Sequence, residues 1–145
     1  MPLPRAFLSF DFDHDLTAKS LFAGQAKTDS PTPFQLADWS SKSALPQSQW
    51  ERIIEDKISR CHLLIVLVGN NMATATGVAK EIEMARRDGL PYFGVYVNGA
   101  SARSALPDGL TRNSVVSWKW GNIASMINKC SNLGKNSSVS GWPTL

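Results

Sequence analysis

Two hydrophobic patterns stand out along the chain, one helical and one extended. After Pro46, apolar residues recur at i, i+3, i+4, i+8 and i+11, the spacing of one face of an α-helix. These residues are Trp50, Ile53, Ile54, Ile58 and Cys61. Residues 63–68 then read LLIVLV, an unbroken apolar run that is typical of a parallel strand covered on both faces. The helical spacing of the first pattern therefore indicates that Trp50 packs in the core.

Shorter patterns predict the remaining elements of an α/β fold. Apolar segments rich in aromatic and β-branched residues predict strands over 6–10, 34–38, 91–97 and 114–117. Helical spacing and capping residues predict helices over 16–26, 78–88 and 121–130. Strands that alternate with helices at this spacing predict right-handed crossovers. The expected architecture is a parallel sheet with helices packed on both faces.

The length of the chain predicts one domain. Its 145 residues suffice for a single sizeable core, which we place in residues 1–131. Residues 132–145 are rich in Ser, Gly and Asn and are predicted to form a flexible tail. The N-terminus lacks the apolar stretch of a signal peptide, and the longest apolar run is too short to span a bilayer. A cytoplasmic protein without a membrane partner is therefore expected.

Charge and cysteine content exclude several classes of function. Lys and Arg outnumber Asp and Glu by 15 to 12, and the basic residues are scattered, so no nucleic-acid partner is expected. Cys61 and Cys130 are far apart in the sequence, without a CxxC motif or a Cys/His cluster. A zinc site and a disulfide framework are therefore not expected. Asp11, Asp13 and Asp15 alternate along the chain and could hold Mg²⁺, but helix capping and solvation explain them better, so no metal site is expected.

The residues that follow each predicted strand are the candidates for a binding site. In an open parallel sheet, ligands bind outside the carboxyl ends of the strands. The segments at that edge are 9–15, 38–40, 69–71 and 98–113. They contain carboxylates, amides, hydroxyls and aromatic rings, which suit a ribose and a heteroaromatic ring. No GxGxxG or P-loop motif is present, so a tightly bound dinucleotide cofactor is not expected.

The order of four motifs resembles a known family. They are FLSFDFDHD at 7–15, DWS at 38–40, IVLVG at 65–69 and GVAKEI at 77–82. Together they resemble the TIR-like domain family, and more closely the ThsB-type TIR proteins of the Thoeris anti-phage system. The WKW segment at 118–120 is similar to the end of that family's final strand. The resemblance covers residues 6–130.

The resemblance implies both a fold and an activity. The implied fold is a flavodoxin-like sheet of strand order 2-1-3-4-5. The implied activity is cleavage of NAD⁺, as a substrate, at the nicotinamide–ribose bond, which yields nicotinamide and a cyclic ADP-ribose signal. That signal would activate a partner effector protein. Active sites in this family are often completed by assembly, so a homo-oligomer is also implied.

Glu81 is the residue that matches the catalytic glutamate of the family. It lies in the Val-x-x-Glu-Ile segment that opens the predicted helix at 78–88. A carboxylate there can stabilise the oxocarbenium-like state through which an N-glycosidic bond breaks. Without the motif, an acidic residue early in a helix would be explained by helix electrostatics alone.

Gly77 is the position at which the chain departs from the family pattern. Many relatives carry an aromatic residue directly before the Val-x-x-Glu segment, whereas this chain has glycine. The wall over the nicotinamide ring is then either missing or supplied by Trp39. The departure puts the activity in doubt rather than the fold. The alternative function is a non-catalytic TIR-like module that assembles with partners, and a third is a nucleoside-processing glycosyltransferase.

Six further residues are expected to contact the substrate, and four of them have a structural alternative. Ser9 and Phe10 would touch the ribose and the nicotinamide ring, with core packing as the rival role of Phe10. Asp11 would line the pocket or serve as a solvated helix cap. Asp38 would bind a ribose hydroxyl or cap a turn, and Trp39 would stack on the base. The sixth, Asn70, would be a pocket amide or a turn former.

Overall fold

The computed structural model describes residues 4–37 and 47–133, which form alternating strands and helices. The strands are β1 (Arg5–Ser9), β2 (Gln35–Ala37), β3 (Leu63–Val68), β4 (Tyr92–Tyr96) and β5 (Val115–Val116). The helices are α1 (Leu16–Thr28), α2 (Gln47–Ser59), α3 (Thr76–Arg87) and α4 (Trp120–Leu133). Short 3₁₀ turns lie at Met72–Thr74 and Arg112–Ser114. The predicted flexible tail lies outside the described residues, apart from the end of α4.

The five strands form one parallel sheet of order β2-β1-β3-β4-β5. The predicted fold class and the strand order implied by the family resemblance are both confirmed. Ser9 of β1 pairs with Val66 of β3, and Val68 pairs with Tyr96 of β4. Because all strands run in the same direction, the segments that follow them meet at one edge of the sheet.

β3 lies at the centre of the sheet and is covered on both faces, as its apolar sequence predicts. All six of its side chains are fully buried. Helices α2 and α3 pack on one face, where Ile54 and Ile82 join a cluster with Leu64. Helices α1 and α4 pack on the other face, where buried residues such as Phe22 and Ile127 join a second cluster.

The boundaries of several elements differ from the predicted ones by one to three residues. β1 ends at Ser9 rather than at residue 10, because the chain turns where the Asp11 carbonyl accepts the N–H groups of His14 and Asp15. α3 begins two residues earlier than predicted, at Thr76. β5 has only two residues, because Ser114 belongs to the preceding 3₁₀ turn and the Ser117 carbonyl accepts the N–H of Lys119 at the next bend.

The WKW segment lies after β5, at the start of α4, rather than within the strand. Its two indole N–H groups, from Trp118 and Trp120, both donate to the Gln25 Oε1 atom of α1, at 3.1 and 2.9 Å. The Trp120 ring packs against Phe22 with ring centroids 4.9 Å apart. These contacts hold α1 against the start of α4, on the face of the sheet opposite α3. The two tryptophans therefore stabilise the packing of these helices.

Candidate functional site

Glu81 and Ser9 meet at the carboxyl edge of the sheet. The Ser9 hydroxyl donates a hydrogen bond to the Glu81 Oε1 atom at 2.5 Å. Ser9 is completely buried, and Glu81 is 7% exposed. The structure thus brings together the expected catalytic carboxylate and one of the expected substrate contacts, on two elements separated by 72 positions in sequence.

The sequence of α3 explains why the Glu81 side chain points towards the sheet. Val78 and Ala85, three residues before and four residues after Glu81, lie on the same helical face and are buried. Ile82, next to Glu81, is also fully buried. Because these apolar side chains face the core, the Glu81 side chain on the same face also points towards the sheet, at the end of β1. Glu83, two residues further along, is exposed.

A narrow cleft with aromatic walls adjoins the Glu81 carboxylate. Its lining consists of Phe7, Leu8, Phe10, Phe12, Trp50, Gly77 and Glu81. The cleft has a volume of about 40 Å³. An engineered protein cavity that binds benzene has about 150 Å³. The space bounded by these described residues is therefore smaller than a cavity that holds an aromatic ring.

Two aromatic residues that follow β1 form one wall of the cleft. The rings of Phe10 and Phe12 are stacked, with centroids 6.0 Å apart and an interplanar angle of 29°. Both side chains are partly buried, and Phe10 also packs against the apolar cluster on the α1 and α4 face. Phe10 therefore packs in the core and also lines the cleft, and its contact with a substrate stays a prediction.

Trp50 of α2 forms another wall, a position that the sequence analysis missed. A Cβ atom placed on Gly77 would lie 3.8 Å from the Trp50 Cη2 atom, so the indole covers the glycine. Trp50 is also 6% exposed and part of the apolar core, as its helical stripe indicates. The missing aromatic residue at Gly77 is the one feature of the sequence that could have suggested a ring from another element.

A second polar cluster joins the ends of β3 and β4 to the start of α1. The Asn98 Nδ2 atom donates to Asp15 Oδ1 at 2.6 Å, and the Asn70 Nδ2 atom donates to the Asn98 carbonyl at 2.7 Å. Asn98 has a φ of 54°, a left-handed conformation that asparagine tolerates. Asn70 is exposed and does not line the Glu81 cleft. Its amide joins the segment after β3 to the segment after β4, and its contact with a substrate stays a prediction.

Asp15, the residue directly before α1, is a buried carboxyl group. It is 1% exposed, and within the described part of the chain its Oδ2 atom has no hydrogen-bond partner. Burial raises the pKa of Asp15 above the usual value of 3.8, opposed by the hydrogen bond from Asn98 and reinforced by the nearby Asp11 charge. The folded chain therefore holds the Asp15 proton more tightly than the unfolded chain does.

Asp15→Asn should stabilise the chain relative to the wild type as the pH rises. The folded wild type loses stability as the pH passes from 3.8 up through the raised folded-state pKa, because a buried carboxyl must then ionise. The asparagine variant keeps the oxygen that accepts from Asn98 and carries no charge. Urea unfolding of both proteins across this pH range measures the effect. A stability difference that does not change with pH would contradict the expectation.

Asp11 is held within the turn after β1 rather than in the cleft. Its Oδ2 atom lies 2.7 Å from His14 Nδ1, and its Oδ1 atom accepts the N–H of Asp13 at 3.2 Å. The hydrogen bond and the charge of Asp11 raise the pKa of His14. Asp11 is 8% exposed and does not line the cleft beside Glu81. Its carboxylate therefore holds the turn that leads into α1, and contact with a substrate stays a prediction.

Two expected substrate contacts, Asp38 and Trp39, lie outside the described residues. β2 ends just before them, at Ala37. Across residues 4–37 and 47–133, no group of three His, Cys, Asp or Glu side chains is arranged to hold a metal ion. In the same ranges, no helix is both long enough and apolar enough to cross a membrane.

Comparisons with known proteins give a family match and several distant structural likenesses, two of which are described here. The family described as "Thoeris protein ThsB, TIR-like domain" matches residues 7–102. A prokaryotic SEFIR domain is 12% identical over 89% of this chain and 90% of that chain, with a TM-score of 0.48. A 3-dehydroquinate dehydratase-like protein from Bifidobacterium longum is 13% identical over 92% of this chain and 98% of that chain, with a TM-score of 0.46. Among curated proteins, none matches the chain. Because the family match covers well over half of the sequence, the chain belongs to the family of Thoeris ThsB TIR-like domains.

Proposed function

We propose that this TIR-like domain cleaves NAD⁺ at the bond between nicotinamide and ribose, with Glu81 as the essential carboxylate. The observation that supports this most is the position of Glu81. Its side chain is nearly buried, accepts a hydrogen bond from Ser9 and adjoins a cleft with aromatic walls. The cleft lies outside the carboxyl end of β1, where open parallel sheets bind their ligands.

In the proposed reaction, the main task of the protein is to stabilise the positive charge that develops on the ribose. When the C–N bond breaks, its electron pair goes to the pyridinium nitrogen, so nicotinamide leaves as a neutral molecule without needing a proton. The ribose acquires oxocarbenium character, and the Glu81 carboxylate stabilises that positive charge. Attack by water then gives ADP-ribose and a proton. Attack by a nitrogen of the same molecule's adenine gives a cyclic ADP-ribose.

Ser9 would orient the carboxylate during this step. Its hydroxyl donates to the Oε1 atom of Glu81 and so holds the carboxylate in one orientation beside the cleft. Because Ser9 is on β1 and Glu81 is on α3, the hydrogen bond also ties the helix to the rigid sheet. A group held in this way loses less freedom when the substrate binds.

The narrow cleft favours an enzyme that is inactive until it opens. A volume of about 40 Å³ does not admit a nicotinamide ring, so opening would have to precede the reaction. Assembly of several copies, or an infection signal, would supply the free energy for that change. The cyclic product would then activate an effector protein in the cytoplasm.

The second candidate function is a non-catalytic module that recognises a partner. The same small volume favours it, because a cleft that never opens cannot bind NAD⁺. In that case the Ser9–Glu81 hydrogen bond would serve only to hold α3 on the sheet.

Incubation of the concentrated, purified chain with NAD⁺ separates the two functions. The proposed enzyme releases nicotinamide together with cyclic or linear ADP-ribose, which chromatography distinguishes. The module leaves NAD⁺ intact, even after lysate from phage-infected cells is added. A lysate without the chain is the control for other NAD⁺-consuming enzymes.

A further inference from the structure

We propose that a basic groove at the amino edge of the sheet binds an acidic peptide segment of a partner protein. This basic groove has a volume of about 370 Å³, within the range of ligand sites in proteins. Four basic side chains and one acidic side chain line it, together with an isoleucine. The lining residues are Arg5, Arg52, Ile53, Asp56, Lys57 and Arg60.

The fold assembles the basic groove from residues that are scattered in the sequence. Arg5 begins β1, whereas α2 and the residue directly after it supply the others. The Arg5 N–H donates to His62 Nδ1 at 2.9 Å, and the Arg5 carbonyl accepts the His62 N–H at 2.7 Å. These two hydrogen bonds hold the start of β1 beside the segment that follows α2. The Arg5 charge therefore lies next to those of α2, at the edge of the sheet opposite Glu81.

Two of the four basic side chains have no acidic partner. Asp56, the acid in the groove, already pairs with Arg60, at 3.3 Å between its Oδ2 atom and the Arg60 Nε atom. Among the described residues, the side chains of Arg5 and Arg52 make no ion pair and no hydrogen bond. Both residues are exposed. An anion in the groove would therefore pair with two guanidinium groups without displacing an existing partner.

Helix electrostatics explain only part of this positive charge. Lys57 and Arg60 lie at the C-terminal end of α2, where the helix dipole favours cations. Arg52 lies near the middle of α2, and Arg5 lies in a strand, so the dipole accounts for neither of them. The charges of Arg5 and Arg52 thus have no explanation within the fold.

The acids closest to Arg52 along α2 do not neutralise it. Glu55 and Asp56, three and four residues further along, are at the positions from which an acid could pair with Arg52. The Glu55 Oε2 atom instead lies 3.6 Å from the Arg87 Nη2 atom of α3, and Asp56 pairs with Arg60. Because other arginines hold both acids, the charge of Arg52 is available to a ligand in the groove.

The length of the row of basic residues identifies an extended anion. Arg52 and Arg60 are eight residues apart, about 12 Å along the direction of the helix. In an extended peptide, side chains two residues apart point to the same side at a spacing of about 6.6 Å. Three acidic side chains at alternate positions therefore match the row, whereas a single phosphate would reach only one end. Arginine also binds carboxylates through two parallel hydrogen bonds.

The surroundings of the groove favour a peptide over a nucleic acid. A second groove, between α2 and α3, shares Arg52 and Asp56 with the basic groove. Glu55 and Asp88 also line this second groove, so its carboxylates outnumber its arginines. A nucleic-acid backbone that continued past the basic groove in this direction would meet these carboxylates and be repelled. A short acidic segment would end before it reached them.

The test measures binding of a fluorescein-labelled peptide, with glutamate at three alternate positions, to the full chain by fluorescence anisotropy at low ionic strength. We expect Arg5→Gln combined with Arg52→Gln to weaken binding about tenfold, which corresponds to about 1.4 kcal/mol. Arg103→Gln combined with Arg112→Gln is the matched control, because it changes the net charge equally at exposed residues outside the groove. The control should bind the peptide as wild type does. Urea unfolding checks that both double variants are folded.

Three results would overturn the proposal. They are no binding of the peptide by wild type, equal losses in the two double variants, and tighter binding of a single-stranded oligonucleotide of equal charge through the same two arginines. A peptide with glutamine in place of each glutamate should not bind. Because the groove and Glu81 lie at opposite edges of the sheet, peptide binding and NAD⁺ cleavage are tested separately, and either proposal can fail without the other.

Discussion

Substitution of Glu81 by glutamine is expected to lower kcat for NAD⁺ cleavage by about 10²–10³-fold, the usual cost of removing one group that stabilises charge in a transition state. Glutamine has nearly the same shape, and its amide oxygen can still accept the hydrogen bond from Ser9. The variant removes only the negative charge beside the ribose. Cleavage of a fluorogenic etheno-NAD⁺, whose emission rises when nicotinamide leaves, measures kcat and KM separately.

Glu83→Gln is the matched control for this variant. Glu83 is on the same helix and carries the same charge, but its side chain is exposed. We expect its kinetics to equal those of wild type. Urea unfolding should show that Glu81→Gln is at least as stable as wild type, because a buried amide costs less than a buried charge. Similar losses of activity in both variants would point to the overall charge of α3 rather than to Glu81.

Gly69→Ala is expected to destabilise the chain by about 1–3 kcal/mol, the range for forcing atoms into a packed interior. Gly69 follows β3 directly, and an added Cβ would overlap the Asp15 carboxylate, with the Asp15 Cγ atom only 2.7 Å away. Asp15 cannot move without losing its hydrogen bond from Asn98. The substitution should therefore loosen the start of α1 and the carboxyl edge of the sheet together.

Gly24→Ala is the control for the glycine change. Gly24 lies within α1, and an added Cβ there has no neighbour within 4 Å. Alanine should therefore raise stability by about 0.5–1 kcal/mol, through helix propensity alone. Urea unfolding at neutral pH measures both variants. A Gly69→Ala protein as stable as wild type would show that the Asp15 carboxyl adapts at no cost.

Most of the fold could be predicted because local patterns determine it. The unbroken apolar run at 63–68 indicates a central strand whatever surrounds it, and the stripe that includes Ile54 and Ile58 indicates a buried helical face. The exact ends of strands were less predictable. β1 stops at Ser9 because of hydrogen bonds in the following turn, and these do not depend on hydrophobicity.

The candidate site could be predicted only in part. Glu81 was identified by the family resemblance of its segment, and Ser9 by its place at the end of a strand. The role of Trp50 in the cleft depends on how α2 packs beside α3, which periodicity within one helix does not reveal. The burial of Asp15 depends on a glycine and an asparagine from two other loops. Contacts between distant segments of this kind leave no local pattern.

The most direct test of the account is the amount of nicotinamide released from NAD⁺ by wild type and by Glu81→Gln, side by side, over a series of protein concentrations. If Glu81 is the essential carboxylate, wild type should release nicotinamide and the variant almost none. If assembly opens the cleft, the release by wild type should rise more steeply than in proportion to the protein concentration. Equal release by both proteins would remove Glu81 from the mechanism. No release by either, at every concentration and with lysate from phage-infected cells present, would contradict NAD⁺ cleavage and leave the partner-binding module.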